Sequence, residues 1–235
     1  MNKTAIVTGA TKGIGRAIVL QFAANGFDIA FCARNEMEVN KFCTELTDLY
    51  PNQTFLGIKT DMSNTEQVHL LCQEVLNKCK NIAVLVNNAG LFMPGSMLEE
   101  ANGSLETMIN TNLYSAYYTT KNLVPAMIEA KDGYIFNICS IASIQAYKYG
   151  GSYSISKFAM LGFSKSLREE LKDKNIRVTA LLPGATLTDS WAGVDLPPER
   201  FMPASDIAKA VWELYNLSHA TVVEELILRP QLGDI

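Results

Sequence analysis

Histidine is scarce here: only His69 and His219 occur in 235 residues, apart from each other and from the cysteines, so no imidazole-based metal site is expected. The five cysteines, at 32, 43, 72, 79 and 139, are odd in number and form no C-x-x-C pair. That usage points to buried free thiols in a reducing cytoplasm, not to a disulfide framework. A basic excess is also missing. With 20 Lys and Arg against 24 Asp and Glu, the net charge is -4, which argues against nucleic acid or an anionic membrane as the main partner. No apolar run approaches the roughly 18 residues of a membrane span. The strand-like Ala5-Ile6-Val7 is ended by Thr8-Gly9 before a signal-peptide apolar region develops, so neither secretion nor anchoring is expected. Repeats, low-complexity tracts and linkers are absent. What remains is an ordinary globular composition, 48% hydrophobic and 19% charged, read as one domain over residues 1–235.

Short β-branched runs alternate with longer amphipathic ones along the chain. Strands are expected at 4–7, 28–32, 54–59, 82–86, 134–138, 177–182 and 222–228, and helices at 15–25, 36–50, 65–80, 104–130, 152–174 and 204–217. Such alternation implies an α/β fold with a parallel sheet covered on both faces. Pro51 stops the second helix, and Gly26 ends the first. Ser63, with Glu66 three residues on, reads as a capping box for the third, and Ser152 as the N-cap of the helix from 152. The long irregular stretch 185–203 is expected to be a functional loop.

Between the first strand and helix lies Thr8-Gly9-Ala10-Thr11-Lys12-Gly13-Ile14-Gly15. Glycine allows a tight turn and close backbone approach, and a helix N-terminus presents free N–H groups to phosphate, so a dinucleotide pyrophosphate is the natural ligand. The second strand ends in Cys32-Ala33-Arg34 with no acid until Glu36. NAD-selective folds place an acidic residue there for the ribose 2′-hydroxyl. Arg34, with Lys12, suits a 2′-phosphate instead, because a guanidinium pairs with phosphate oxygens in a bidentate way. NADP(H) is therefore the expected cofactor.

On the helix from 152, Tyr153 and Lys157 are four residues apart and share a face. Moving a phenol from a pKa of about 10 to about 7 needs roughly 4 kcal/mol of preferential phenolate stabilisation. An ammonium about 4 Å away supplies about 4 kcal/mol at an effective dielectric of about 20. Lys157 is thus expected to lower the Tyr153 pKa and make it a proton donor.

The set Gly9-x-x-x-Gly13-x-Gly15, Asn87-Asn88-Ala89-Gly90, Ser140 and Tyr153-x-x-x-Lys157, in this order and with thirteen residues from Ser140 to Tyr153, resembles the short-chain dehydrogenase/reductase superfamily from Lys3 to about Thr188. The resemblance implies a single Rossmann domain with a seven-stranded parallel, doubly wound sheet. It also implies an oxidoreductase of C=O and CH–OH groups. In it Tyr153 is the general acid, Lys157 holds the nicotinamide ribose and biases the phenol, Ser140 bonds the substrate carbonyl and Asn112 anchors a relay water. Asp61 and Met62 would contact adenine, while Asn88, Ala89 and Gly90 would line the cofactor cleft with Thr11, Lys12 and Ile14 of the turn. Pro183, Gly184, Thr186 and Thr188 would sit beside the nicotinamide. Family members usually pair through the helices matching 104–130 and 152–174, so a homodimer or homotetramer is expected, with Tyr114, Tyr117, Tyr118 and Phe163 either serving the interface or packing internally.

Leu91-Phe92-Met93-Pro94 and the loop bearing Leu187, Trp191 and Leu196 are expected to wall the substrate, with Gln145, Tyr147 and Tyr149 contributing. An apolar, aromatic pocket favours a small, mainly hydrophobic or planar carbonyl compound. The C-terminal stretch from Val222 to Ile235 is more similar to bacterial sepiapterin-reductase-like members than to 3-oxoacyl-carrier-protein reductases. A carbonyl reductase is the leading reading, a 3-oxoacyl reductase the alternative, and a non-catalytic NADP(H) sensor or scaffold the alternative of another class.

Overall fold

The computed structural model describes residues 2–191 and 193–235. Its strands are β1 (Thr4–Thr8), β2 (Asp28–Ala33), β3 (Phe55–Lys59), β4 (Ile82–Asn87), β5 (Gly133–Ile138), β6 (Ile176–Pro183) and β7 (Glu225–Leu228). Helices are α1 (Gly13–Ala24), α2 (Glu36–Leu49), α3 (Thr65–Lys78), α4 (Ser104–Ile109), α5 (Ser115–Ala130), α6 (Gly151–Leu171) and α7 (Ala204–Tyr215). The strands form one parallel sheet in the order β3-β2-β1-β4-β5-β6-β7. The strand order reverses between β1 and β4, and a crevice opens beyond their carboxyl ends, the place where such folds bind ligands.

β1, β4, β5 and β6 are buried at every position, as strands covered on both faces must be. One face packs Ile18, Val19 and Phe22 of α1, Phe42 of α2 and Ile207 and Val211 of α7. The other packs Val68 and Leu71 of α3 and Leu123 and Met127 of α5. Both apolar layers fix the strand ends from which the candidate residues project.

Three local expectations are corrected. The helix expected over 104–130 is interrupted by a π-helical segment, Asn110–Tyr114, centred on Asn112. Such a bulge shifts the register of one turn and is common at functional sites. Asn64 rather than Ser63 caps α3, its side chain accepting from the Gln67 N–H at 3.1 Å, because Ser63 is already bound to Asp61. Ser152 lies inside α6, whose N-cap is Gly150.

Candidate active site

The glycine-rich turn is held from behind by β4. Asn88 Nδ2 donates to the carbonyls of Thr8 and Gly9, both at 2.8 Å, and the Thr8 hydroxyl accepts from the backbone N–H groups of Asn88 and Ala89. Asn88 thus braces the turn, and a Cβ at Gly15 would overlap its amide. Gly13 opens α1 with φ +54. No side chain caps α1, and no acid lies in its first turn, so its N–H groups and positive dipole end remain available to an anion. Ile14 packs against the core, and the Thr11 hydroxyl donates to Glu38 at 3.2 Å.

Arg34, just beyond β2, is exposed and makes no ion pair among the described residues. Lys12 differs from expectation: its ammonium pairs with Glu38 at 3.0 Å and Asp189 at 3.5 Å, linking the turn to the loop after β6. Asp61 accepts from Ser63 N–H and hydroxyl, and Met62 is buried, touching the thiol of Cys32. Met62 therefore packs as core. Pro183 closes β6, and Gly184 N–H donates to the Leu228 carbonyl at 2.7 Å. The hydroxyl of the buried Thr186 turns back to the Gly184 carbonyl at 3.0 Å, while Thr188 reaches the glycine turn at Gly13. The loop 185–203 folds on itself through the Thr186–Met202 bridge and an edge-to-face pair of Trp191 and Phe201; Ala192 lies outside the described residues.

Across the crevice, Ser140 follows β5, and Tyr153 and Lys157 lie in the first turns of α6. Ser140 caps the short turn Ile141–Ser143, its hydroxyl accepting from the Ala142 N–H at 3.1 Å. Tyr153 sits with its phenol in dense surroundings and its ring edge-to-face with Phe92, centroids 4.8 Å apart. Lys157 is buried, its ammonium donating to the Ile138 carbonyl at 2.9 Å and lying 5.8 Å from the centroid of the Tyr153 ring. A Cβ at Gly90 would stand 3.6 Å from that ammonium and 3.5 Å from the Asn112 amide oxygen, so Gly90 belongs to the same group.

The expected lowering of the Tyr153 pKa by Lys157 is corrected. Burial raises the phenol's pKa above its ordinary value, and the hydrogen bond of Ser140, which acts in the opposite sense, does not offset it. Burial likewise depresses the pKa of Lys157. Loss of solvent disfavours the charged form of each group, and the spacing rule took no account of that cost. The phenol is consequently held protonated at neutral pH.

Asn112 is wholly engaged with protein. Its Oδ1 accepts from Leu91 N–H, and its Nδ2 donates to the Leu91 carbonyl and to the Ser156 hydroxyl at 2.8 Å. Ser156 donates in turn to the Tyr153 carbonyl at 2.7 Å. A continuous chain of bonds therefore runs from the segment after β4 to the backbone of Tyr153. Tyr147, still 44% exposed, stands nearby, its pKa pushed up to about 12 by partial burial and then by Tyr153. The sequence reading did not find Thr8 or Ser156. Ser156 left only a weak signal, its three-residue distance from the Tyr153 carbonyl, and Thr8 left none.

Residues 3–197 match the family described as short chain dehydrogenase. The whole chain is 33% identical to the sepiapterin reductase of Chlorobaculum tepidum, covering 99% of that protein. The 3-oxoacyl-[acyl-carrier-protein] reductase of Chlamydia pneumoniae is 34% identical over 80% of this chain and 75% of its own. Among solved structures, the alcohol dehydrogenase of Thermococcus sibiricus complexed with 5-hydroxy-NADP superposes with a TM-score of 0.91 at 29% identity, covering 100% of this chain and 99% of that one.

Proposed function

The chain belongs to the short-chain dehydrogenase/reductase family, and from that premise we propose that it is an NADPH-dependent carbonyl reductase whose proton donor is Tyr153. It is an NADP-dependent oxidoreductase. The residues fit that cofactor: α1 offers an uncapped N-terminus to the pyrophosphate, and Arg34 is exposed, with no ion pair among the described residues, at the carboxyl end of β2, where a 2′-phosphate would lie. Lys12 joins Arg34 if it leaves Glu38 and Asp189. Bound NADPH supplies the hydride.

The protein's own task is to orient the carbonyl, stabilise developing oxyanion charge and deliver a proton. Tyr153, held protonated by burial, donates from its phenol oxygen to the carbonyl oxygen, and the Ser140 hydroxyl bonds the same oxygen. As the phenol gives up its proton, the buried Lys157 ammonium beside it stabilises the phenolate. Asn112 keeps Tyr153 in register through Ser156. Phe92 and Tyr147 set aromatic rings beside the Tyr153 phenol, which suits a planar, conjugated carbonyl compound such as sepiapterin. The full-length match to sepiapterin reductase favours that substrate class over 3-oxoacyl groups, whose reductase covers less of the chain.

The observation that carries this reading is the convergence of Ser140, Tyr153 and Lys157 across the crevice from the glycine-rich turn. Its test is NADPH oxidation, followed by absorbance, with sepiapterin and a panel of ketones and diketones. Tyr153→Phe is expected to abolish turnover while leaving NADPH affinity nearly intact. Equal activity in that variant would remove Tyr153 from the reaction, and tight NADPH binding with no turnover on any carbonyl would favour a sensor or scaffold.

Of the four interface candidates, Tyr118 and Phe163 pack against the core, whereas Tyr114 and Tyr117 are exposed; those two, with the exposed Phe158 on α6, support assembly as a homodimer or homotetramer, to be read from solution mass. All five cysteines are free, which supports a cytoplasmic setting, and among the described residues no helix is long and apolar enough to cross a membrane.

A further inference from the structure

The helix that carries Tyr153 has no cap of its own. Gly150 at its N-cap offers no side chain, and no acidic residue lies in its first turn. A 21-residue helix nonetheless begins there. Its missing anion comes from another segment: Glu100, in the loop after β4, accepts the Ser152 N–H at 3.0 Å on Oε1 and the Ser152 hydroxyl on Oε2. Two glycines clear the space, because a Cβ on Gly151 would overlap the Glu100 carboxylate and one on Gly95 would stand 2.9 Å from its Cγ. The same loop is tied down at three further points, one of them on α6 itself. Gly95 N–H donates to the Tyr149 carbonyl at 3.0 Å, Phe92 packs on the Tyr153 ring, and Leu91 is clamped by Asn112.

We propose that Glu100 is a positioning residue for Tyr153, its carboxylate holding the first turn of α6 against the substrate-wall loop. An anion at a helix N-terminus satisfies orphan N–H donors and complements the dipole, and here it does so one residue from the phenol. Removing it frees the first turn to fray, and the phenol moves with that turn. A shift of about 1 Å at a reacting group can cost up to about a hundredfold in rate. The proposal rests on the reductase reading above.

The test uses the full chain with Glu100→Ala and the conservative Glu100→Gln. Four quantities are measured: hydrogen exchange in the peptide spanning 150–156, the Kd for NADPH, and kcat and KM for the probe 1-phenyl-1,2-propanedione. Glu100→Ala is expected to speed that exchange by about tenfold or more, as loss of a local anchor should. It should also lower kcat about tenfold while the NADPH Kd stays within about twofold, a split that general unfolding would not produce. Glu100→Gln, which keeps an acceptor for the Ser152 N–H, should recover most of both. Ser152→Ala removes one of the two donors without touching Glu100, and should give a smaller effect in the same direction even if Glu100→Ala does not fold. Wild-type exchange and kcat in these variants would overturn the proposal. If the unaltered protein reduces neither sepiapterin nor any ketone or diketone, the reductase reading has failed, and the exchange measurement then decides the anchor alone: faster exchange supports it and unchanged protection overturns it.

Discussion

The side-chain amide of Asn112 and the backbone of Leu91 hold each other in both directions: Leu91 N–H donates to Oδ1 at 2.6 Å, and Nδ2 donates back to the Leu91 carbonyl at 3.0 Å. Because Asn112 is 1% exposed, water cannot readily replace either bond. Asn112→Ala should therefore destabilise the fold by about 2 kcal/mol, the cost of leaving one or two buried polar groups unpaired. It should also lower turnover, since the chain through Ser156 to Tyr153 is cut. Urea midpoints and steady-state rates measured together check both effects. An unchanged midpoint would mean that the clamp contributes nothing.

The buried thiols make stability depend on alkaline pH. Burial pushes Cys32 and Cys72 up to about 12 from an ordinary 9.0. Between those values the folded chain holds protons that the unfolded chain has released, so stability is intact below about pH 9 and is lost as pH rises toward 12. At about pH 10.5 each thiol should account for about 2 kcal/mol of that loss. Tyr153, also raised, adds to it above about pH 10. Lys157 acts the other way: its pKa is lowered, the unfolded chain holds more protons above that value, and its contribution to stability rises with pH up to 10.5. Urea titrations at about pH 8 and about pH 10.5 should show a net loss, smaller by about 2 kcal/mol in Cys72→Ala. A flat profile would show that these thiols are not held protonated by the fold.

Much of this was legible in the sequence because periodicity reports burial directly. Each expected strand and helix has its counterpart, though the last strand spans only Glu225–Leu228 and the helix over 104–130 is broken by the π-helical segment, and Ser140 and Lys157 both lie beside Tyr153. What could not be read were contacts between segments distant in sequence. The π-bulge at Asn112 leaves no local signature, because it is set by bonds to Leu91 and Ser156. The ion pairs of Lys12 were hidden too, because Glu38 and Asp189 approach it only in the folded chain. The direction of the Tyr153 shift was misjudged for a related reason: charge spacing is visible in a helix, whereas desolvation depends on everything packed around it.

Cofactor choice should turn on two side chains with opposite effects. Arg34→Ala should raise the Kd for NADPH about tenfold or more and leave that for NADH little changed, because a charge-assisted bond to phosphate contributes about 1.5–3 kcal/mol. Glu38→Gln should do the reverse, tightening NADPH about two- to fivefold by releasing Lys12 from an exposed pair that itself contributes little. Fluorescence titration with both nucleotides at fixed salt measures each effect. A wild-type preference for NADH would defeat the assignment of Arg34.

Gly13 and Thr188 test how the loop after β6 depends on the turn beneath it. Gly13 has φ +54, and a Cβ there would stand 2.9 Å from Thr188 Cγ2. Gly13→Ala thus carries two penalties, a left-handed backbone of about 1–2 kcal/mol for a residue with a Cβ and a collision with the loop. Thr188→Ala removes only the collision. In a double-mutant cycle, the pair should be more stable than the sum of the singles by about 0.5–1 kcal/mol, while the backbone penalty persists. The Kd for NADPH should follow the same pattern, because the collision displaces the N-terminal turn of α1 that would hold the pyrophosphate. Strict additivity in both readouts would mean that the loop and the turn do not press on each other, and that the position of Thr188 is set from the β6 side alone.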